Sequence, residues 1–371
     1  MGARIMPDES TSRHEADRAV AWRAYISADG KAAGELPEFA RDREELCALY
    51  RALVLTRVFD EKAVALQRTG RLGTFASSLG QEAVSVGVAS AMRAEDVFVP
   101  SFREQGGQLW RGVTPEELLS YWGGDERGSD FAGPREDFPV SIPVASHVPH
   151  AVGVAMAFQQ RAEARVAVAI FGDGATSKGD FYEGLNMAGV WRVPAVFVAA
   201  NNQWAISVPR ARQTAAQTLA QKAFAAGIPS EQVDGNDVVA VRAAASEAIE
   251  RARAGGGPAF IEALTYRLGD HTTADDAHRY RSDAEVSAHW REDPIARLRT
   301  FMVEAGFWSK TNEEALLEDC RARIDKAARA VAERAPQTVT DMFDYLFAEL
   351  PEDVARQRDR ALGLVRGQDE A

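Results

Sequence analysis

Residues 165–201 constrain the fold more than any other stretch. Val166 to Phe171 is continuously apolar, and Gly172-Asp173-Gly174 follows it. A helical pattern then runs from Asp180 to Gly189, and Pro194 leads into a second apolar run that ends in Asn201-Asn202. Apolar runs of strand length without polar alternation belong to strands buried on both faces, and two such strands joined through a helix form a parallel crossover. A chain with this unit is committed to an α/β sheet covered by helices on both faces. Gln232 to Gly235 and the run from Phe260 read as further strands around a helix from Val238 to Ala254, extending the same alternation.

Upstream, Leu46, Leu49, Leu53, Val58 and Phe59 recur at helical spacing until Gly70, and Gly80-Gln81-Glu82 opens a second helix. Asp96 to Pro100 reads as a short strand, the Gly-, Asp- and Pro-rich stretch from Gly123 to Ile142 as a loop, and Val148 to Arg161 as a helix. The first forty residues are polar and weakly periodic, an arm with one short helix expected around Ala16 to Ile26; helices close the chain. The 371 residues carry 43 Lys+Arg against 55 Asp+Glu, a net charge of −12, which disfavours nucleic acid and anionic membrane surfaces as partners. Cys47 and Cys320 lack any metal-ligand or disulfide spacing, no signal-peptide pattern opens the chain, and no apolar run could span a bilayer. A cytoplasmic protein with reduced thiols is the expectation.

Asp173 and Asn202 lie at the carboxyl ends of two neighbouring strands, where open parallel sheets bind ligands. Carboxylate and carboxamide oxygens are hard donors suited to Mg²⁺, and glycines let backbone approach a phosphate before the following helix. A metal there would also make an anionic diphosphate tolerable in an acidic protein. Two familiar nucleotide motifs fail: Lys178 precedes Gly179 where a P-loop needs the reverse, and Ser177 stands where a dinucleotide fingerprint needs glycine. A capping aspartate in a βα turn would account for Gly172-Asp173-Gly174 alone. The paired amides after the next strand have no such structural reason, and the two clusters together read as one ligand site.

That spacing, with the surrounding FGDGATSKGDFYEGLNMAGVWRVPAVFVAANNQWAISVP, resembles the α subunit of heterotetrameric thiamine-diphosphate-dependent 2-oxo acid dehydrogenases. GRLGTFASSLGQEAVSVG, VPSFREQG, SIPVASHVPHAVGVA, QVDGNDV and YRLGDHTTADDAHRYR resemble the same family in the same order, over about residues 45–350. The resemblance implies a thiamine-diphosphate-binding α/β fold with an arm over 1–43, a diphosphate and metal domain over 44–310, and a helical extension over 311–371. It also implies that Asp173 and Asn202 hold Mg²⁺ through side chains and Trp204 through its carbonyl. Gly172, Gly174, Ala175, Ile142 and Val144 would lie against the cofactor, Arg103 would grip its diphosphate, and Phe102 stands where many relatives carry tyrosine.

His271 matches the family's catalytic histidine, cationic or donating a hydrogen bond, with Asp270 beside it where some relatives have histidine or glycine. The charged loop from Asp275 to Arg281 is expected to fold over the cofactor through salt bridges. Ser141, Ser146 and His147 fall where branched-chain relatives bind potassium, with His147 in place of an amide. The activity implied is decarboxylation of a 2-oxo acid with acyl transfer to a lipoyl group on a separate acyltransferase. The chain carries no candidate for the glutamate that activates the cofactor, so the resemblance implies a β subunit in an α₂β₂ assembly. KGDFYEG and QTLAQKAFAAGIP are similar to pyruvate-type chains, SIPVASHVPHAVG and TYRLGDHTTADD to branched-chain ones; pyruvate is the substrate expected first, branched-chain 2-oxo acids second, with acetoin dehydrogenases further off. Outside this family, a transketolase-like half protein and a non-catalytic nucleotide-binding module are the alternatives.

Overall fold

The computed structural model describes residues 20–344 and 346–369. Six strands form one parallel sheet: β1 (Ala21–Arg23), β2 (Val97–Val99), β3 (Ala167–Gly172), β4 (Ala195–Asn201), β7 (Ser230–Asp234) and β8 (Ala259–Leu264), in the spatial order β1-β7-β8-β4-β3-β2. A separate antiparallel pair, β5 (Trp204–Ala205) with β6 (Val208–Pro209), follows β4 directly. The crossover read from the sequence is present: β3 and β4 pair in parallel from Ala167↔Ala195 to Gly172↔Ala200. That register brings Gly172 and Asn201 to the same edge.

Continuous hydrophobicity in these strands follows from double burial. Ala167, Ala169, Phe171, Phe197 and Phe260 point to one face, where α5 (His147–Gln160) and α6 (Gly179–Trp191) cover them. Val168, Ile170, Val196, Val198 and Ile261 point to the other, against α2 (Glu82–Ser90) and α7 (Val238–Arg251). Alternate residues of one strand therefore serve two cores, which removes the alternating pattern of a half-exposed sheet. The long helix α1 (Arg43–Arg68) begins at Asp42, whose side chain accepts from the Glu44 N–H, and buries Leu46, Leu49, Leu53 and Phe59. Between α2 and α5 lie two short helices, α3 (Gln105–Arg111) and α4 (Pro115–Trp122), then the predicted loop.

The arm departs from expectation. From residue 21 on, the short helix is replaced by β1, an edge strand on β7; residues 16–19 lie outside the described residues. Arg23 explains the choice, because its guanidinium bonds Glu231 at 2.9 Å and both oxygens of Glu247 at 2.7 Å. The Asp237 carboxylate at the start of α7 accepts from the N–H groups of Tyr25 and Ile26, each at 2.7 Å. Three residues gain a strand through long-range partners that local periodicity cannot show.

Further helices run over Asp283–His289 (α8), Pro294–Glu304 (α9), Lys310–Ala332 (α10), Asp341–Asp344 (α11) and Glu352–Asp369 (α12). The chain divides into two compact units, one ending at Ala328 and the other beginning at Arg329. Cys47 and Cys320 are both free and buried. No helix among the described residues is long and apolar enough to cross a membrane.

Candidate active site

Four loops at the carboxyl edge of the sheet supply the site. The first follows β3, where Asp173 opens a 3-10 turn, Asp173–Ser177, ahead of α6. Its carboxylate is 1% exposed, accepts from the Gln213 Nε2 at 2.6 Å, and is pushed above the usual carboxylate range by burial. Thr176 ties the turn by donating to the Asp173 carbonyl at 2.8 Å. A Cβ on Gly174 would stand 2.8 Å from the Cβ of Ala205, so glycine is what lets this turn lie against β5. Ala175 is buried behind it, and a Cβ on Gly172 would meet nothing within 4 Å.

The second loop follows β4. Asn202 is buried; its Nδ2 donates to the Gln81 Oε1 at 3.1 Å and its Oδ1 accepts from the Trp204 N–H at 3.3 Å. Gln203 and Ile206 adopt φ of +73° and +54°, conformations uncommon without glycine and rare for a β-branched residue. The Trp204 carbonyl accepts from the Arg267 Nη1 at 3.2 Å, and its indole donates to Glu285 at 3.1 Å.

The third loop carries Phe102 and Arg103. Arg103 is 8% exposed, and its Nη1 donates to the Ser77 carbonyl at 2.6 Å. Its Nη2 donates to the His271 carbonyl at 2.6 Å and to the His271 Nδ1 at 2.9 Å. Burial, and then the neighbouring Arg267, lower its pKa to about 10. The Phe102 ring meets the His271 ring edge-on at 6.1 Å between centroids. The Ser141 N–H donates to the Ser101 carbonyl at 3.2 Å, drawing the Ile142 and Val144 segment alongside; these two side chains are 50% and 42% exposed.

The fourth loop, after β8, holds His271. Burial comes first, then the Arg103 and Arg267 guanidiniums, in lowering its pKa to about 4 against the ordinary 6.5. Because a guanidinium can only donate, Nδ1 accepts from Arg103, and the proton of the neutral ring sits on Nε2. At neutral pH the ring as it stands here is a neutral donor through Nε2. The Asp270 carboxylate beside it accepts from the Ala277 N–H at 3.0 Å.

Nor is the loop held by the expected salt bridges. Arg281 donates to the backbone carbonyls of Arg267, Leu268 and Gly269, and the Tyr280 hydroxyl bonds the Asp275 carboxylate. The His278 Nδ1 lies 2.8 Å from an Asp283 carboxylate oxygen nearby, both side chains exposed. At the positions matched to potassium, the Ser141 and Ser146 hydroxyls lie 3.1 Å apart. The His147 Nε2 donates to the Ile170 carbonyl at 2.9 Å. His147, pushed down to about 4 by burial, is neutral, and its Nδ1 is a buried acceptor without a partner.

Sequence reasoning missed Gln81, Gln213 and Arg267. Arg267 is 1% exposed and donates to the carbonyls of Trp204 and Ile206 and to the Tyr280 hydroxyl, with its Nε left unpartnered. The Gln81 Nε2 is a second buried donor without a partner. Two buried guanidiniums, bonded to carbonyls, a ring nitrogen and a phenol rather than to carboxylates, make this a pocket short of negative charge. Asp173, buried without a cationic hydrogen-bond partner, makes its other side short of positive charge. A metal diphosphate matches both deficits. The signal for Gln81 was its place beside Glu82 at a helix start, but Glu82 itself is fully buried against Arg57, a pair that fixes α2 to α1.

At the carboxyl edge of the parallel sheet an acidic turn, an amide turn and a buried Arg-His pair thus come together. The chain belongs to the dehydrogenase E1 component family, whose model matches residues 50–340. It is 44% identical over 326 residues, 88% of each chain, to the 3-methyl-2-oxobutanoate dehydrogenase subunit alpha of Mycobacterium tuberculosis. To the pyruvate dehydrogenase E1 component subunit alpha of Staphylococcus aureus strain Mu50 it is 40% identical over 315 residues, 85% of each chain.

Proposed function

We propose that this chain is the diphosphate- and metal-binding half of a thiamine-diphosphate-dependent enzyme that decarboxylates a short 2-oxo acid. The observation that carries the reading is the Arg103–His271–Arg267 group facing the Asp173 and Asn202 turns, a paired excess and deficit of charge that a magnesium diphosphate would balance. The oxygens of Asp173 and Asn202 and the Trp204 carbonyl would hold Mg²⁺. Arg103, with backbone from Gly174 and Ala175, would hold the diphosphate. Thiamine diphosphate, when bound, supplies the carbon that adds to the 2-oxo group and takes up the electrons left by carbon dioxide. His271 presents a proton on Nε2 to charge developing beside it. Phe102 has no hydroxyl to offer a phosphate; with Ile142 and Val144 it would keep water from the site.

Tyr182, Val190 and Trp191 on α6 are 47%, 68% and 45% exposed, apolar side chains that a partner subunit would cover. The reading therefore includes a β subunit in an α₂β₂ assembly and an acyltransferase that receives the acyl group. Pyruvate is the first substrate; the relative from M. tuberculosis supports branched-chain 2-oxo acids as the second. Steady-state rates with pyruvate and with 3-methyl-2-oxobutanoate on the co-purified pair of subunits decide between them. The same assay on the lone chain should give no turnover; full activity from it alone would remove the two-subunit reading. Potassium at Ser141, Ser146 and His147 is tested by thermal melts in KCl against NaCl, where a higher melting temperature in KCl supports a site.

A further inference from the structure

The strand β8 carries a carboxylate in the middle of the sheet: Glu262 is fully buried between Ala199 of β4 and Gln232 of β7. A carboxylate in such a place is costly unless each oxygen is bonded, and both are. One accepts from the Asn201 Nδ2 at 2.6 Å and the other from the Ala220 N–H at 3.0 Å. We infer that Glu262 is a positioning residue for metal binding, acting through the Asn201 carboxamide on the Asn201–Trp204 turn. The inference rests on the reading that Asn202 and Trp204 hold the metal.

The path is set by which atoms can donate. A carboxylate accepts only, so it fixes Nδ2 of Asn201 toward β8 and sends Oδ1 toward the turn. There Oδ1 accepts from the Gln203 backbone N–H at 3.3 Å and from the Gln203 Nε2 at 3.0 Å. Those bonds hold Gln203 at φ +73°, the left-handed conformation that a residue with a Cβ avoids. The reversal of direction at Gln203 is what returns the Trp204 N–H to the Asn202 Oδ1 and aims the Trp204 carbonyl into the site. Were the Asn201 amide to turn over, its Nδ2 would face the Gln203 N–H, and the turn would lose its acceptor.

The segment that provides the second bond to Glu262 also reaches the other turn. Lys222, two residues after Ala220, donates from Nζ to the Thr176 carbonyl at 2.8 Å and to its hydroxyl at 3.0 Å, and Thr176 closes the Asp173 turn. Both turns that supply metal ligands are thus braced from the 3-10 segment Ala220–Ala226.

The test uses the co-purified complex with its partner subunit, and titrates Mg²⁺ calorimetrically at saturating thiamine diphosphate, with melts recorded without cofactor. Glu262→Gln keeps the shape but loses one acceptor, and is expected to raise the Mg²⁺ Kd by roughly 10- to 100-fold, the usual cost of disturbing an outer-shell partner. Asp96→Asn, which disturbs the buried Asp96–Arg253 pair at the amino end of the sheet, should lower the melting temperature and leave that Kd in place. Gln203→Gly added to Glu262→Gln should recover most of the affinity, because glycine takes a positive φ without help from Asn201. Gln203→Val reaches the same turn from a half-exposed position and should weaken Mg²⁺ even if Glu262→Gln does not fold. An unchanged Mg²⁺ Kd in Glu262→Gln or Gln203→Val, or no recovery with Gln203→Gly, overturns the inference. Asn202→Ala separates the two levels: if it leaves the Kd unchanged, the metal-site reading fails, whereas if only Asn202→Ala weakens binding, the role of Glu262 fails alone.

Discussion

Two guanidiniums at one imidazole set the chemistry of the site. His271 accepts from Arg103 at Nδ1 and has Arg267 3.4 Å from the same atom, so protonating the ring would place three cations together. Its folded pKa of about 4 lies below the ordinary 6.5, so the unfolded chain binds the extra proton between those values. The stability that His271 contributes is therefore complete above about pH 6.5 and is lost as pH falls toward 4. Asp60 and Glu104, buried and pushed up to about 7, act in the opposite sense, so the share of His271 is the difference between wild-type and His271→Gln stability profiles. NMR of the ring protons should show no titration of His271 above pH 5.5 in the cofactor-free chain; a midpoint near 6.5 would refute the assignment. Asp173 makes the complementary case: Asp173→Asn removes a buried charge. It should raise the cofactor-free melting temperature by roughly 1–2 °C, the shift that about 1 kcal/mol gives in a unit of this size. The same variant should abolish Mg²⁺-dependent cofactor binding in calorimetry. Asp173, Asn202, Arg103 and His271 were legible because each sits in a short motif. Arg267 lies inside the quoted YRLGDHTT run as well but was not singled out, because what marks it is burial without a carboxylate partner.

Elements followed the sequence wherever burial is periodic. The strands β3, β4 and β8 and the helices α1, α2, α5 and α6 were visible because their apolar residues face helices or sheet on known periods. β1 was not visible: two of its three residues are exposed, and its bonds reach more than two hundred residues along the chain. The close fit of α6 to the segment Ala220–Ala226 was equally hidden, because it depends on a missing side chain. A Cβ on Gly189 would stand 2.0 Å from the Ala226 carbonyl oxygen, so Gly189→Ala must push that segment away. The expected cost is about 1–3 kcal/mol in urea unfolding, the range for overpacking a filled core. The displaced segment carries Lys222, so the Asp173 turn should loosen with it. Unchanged stability would mean that α6 and the segment are separable.

At the scale of the molecule, one sheet edge gathers loops separated by more than a hundred residues: Arg103 bonds His271 across 168 positions, and Asn202 bonds Gln81 across 121. That dispersion is why no single window of sequence describes the site, although its parts can be read one by one. It also makes the site dependent on the whole sheet having formed. The edge strand β1 sharpens this into a matter of timing. Arg23 must wait for Glu231, 208 residues later. At synthesis rates of about 5–20 residues per second, that is a delay of roughly 10–40 s. Until then Trp22, 53% exposed even in the finished fold, has no strand to lie beside. Ribosome-bound chains stopped before residue 230 should therefore be cut by protease near Trp22, and chains released after residue 264 should be protected there. The first described strand of the sheet to be synthesised waits for one of the last.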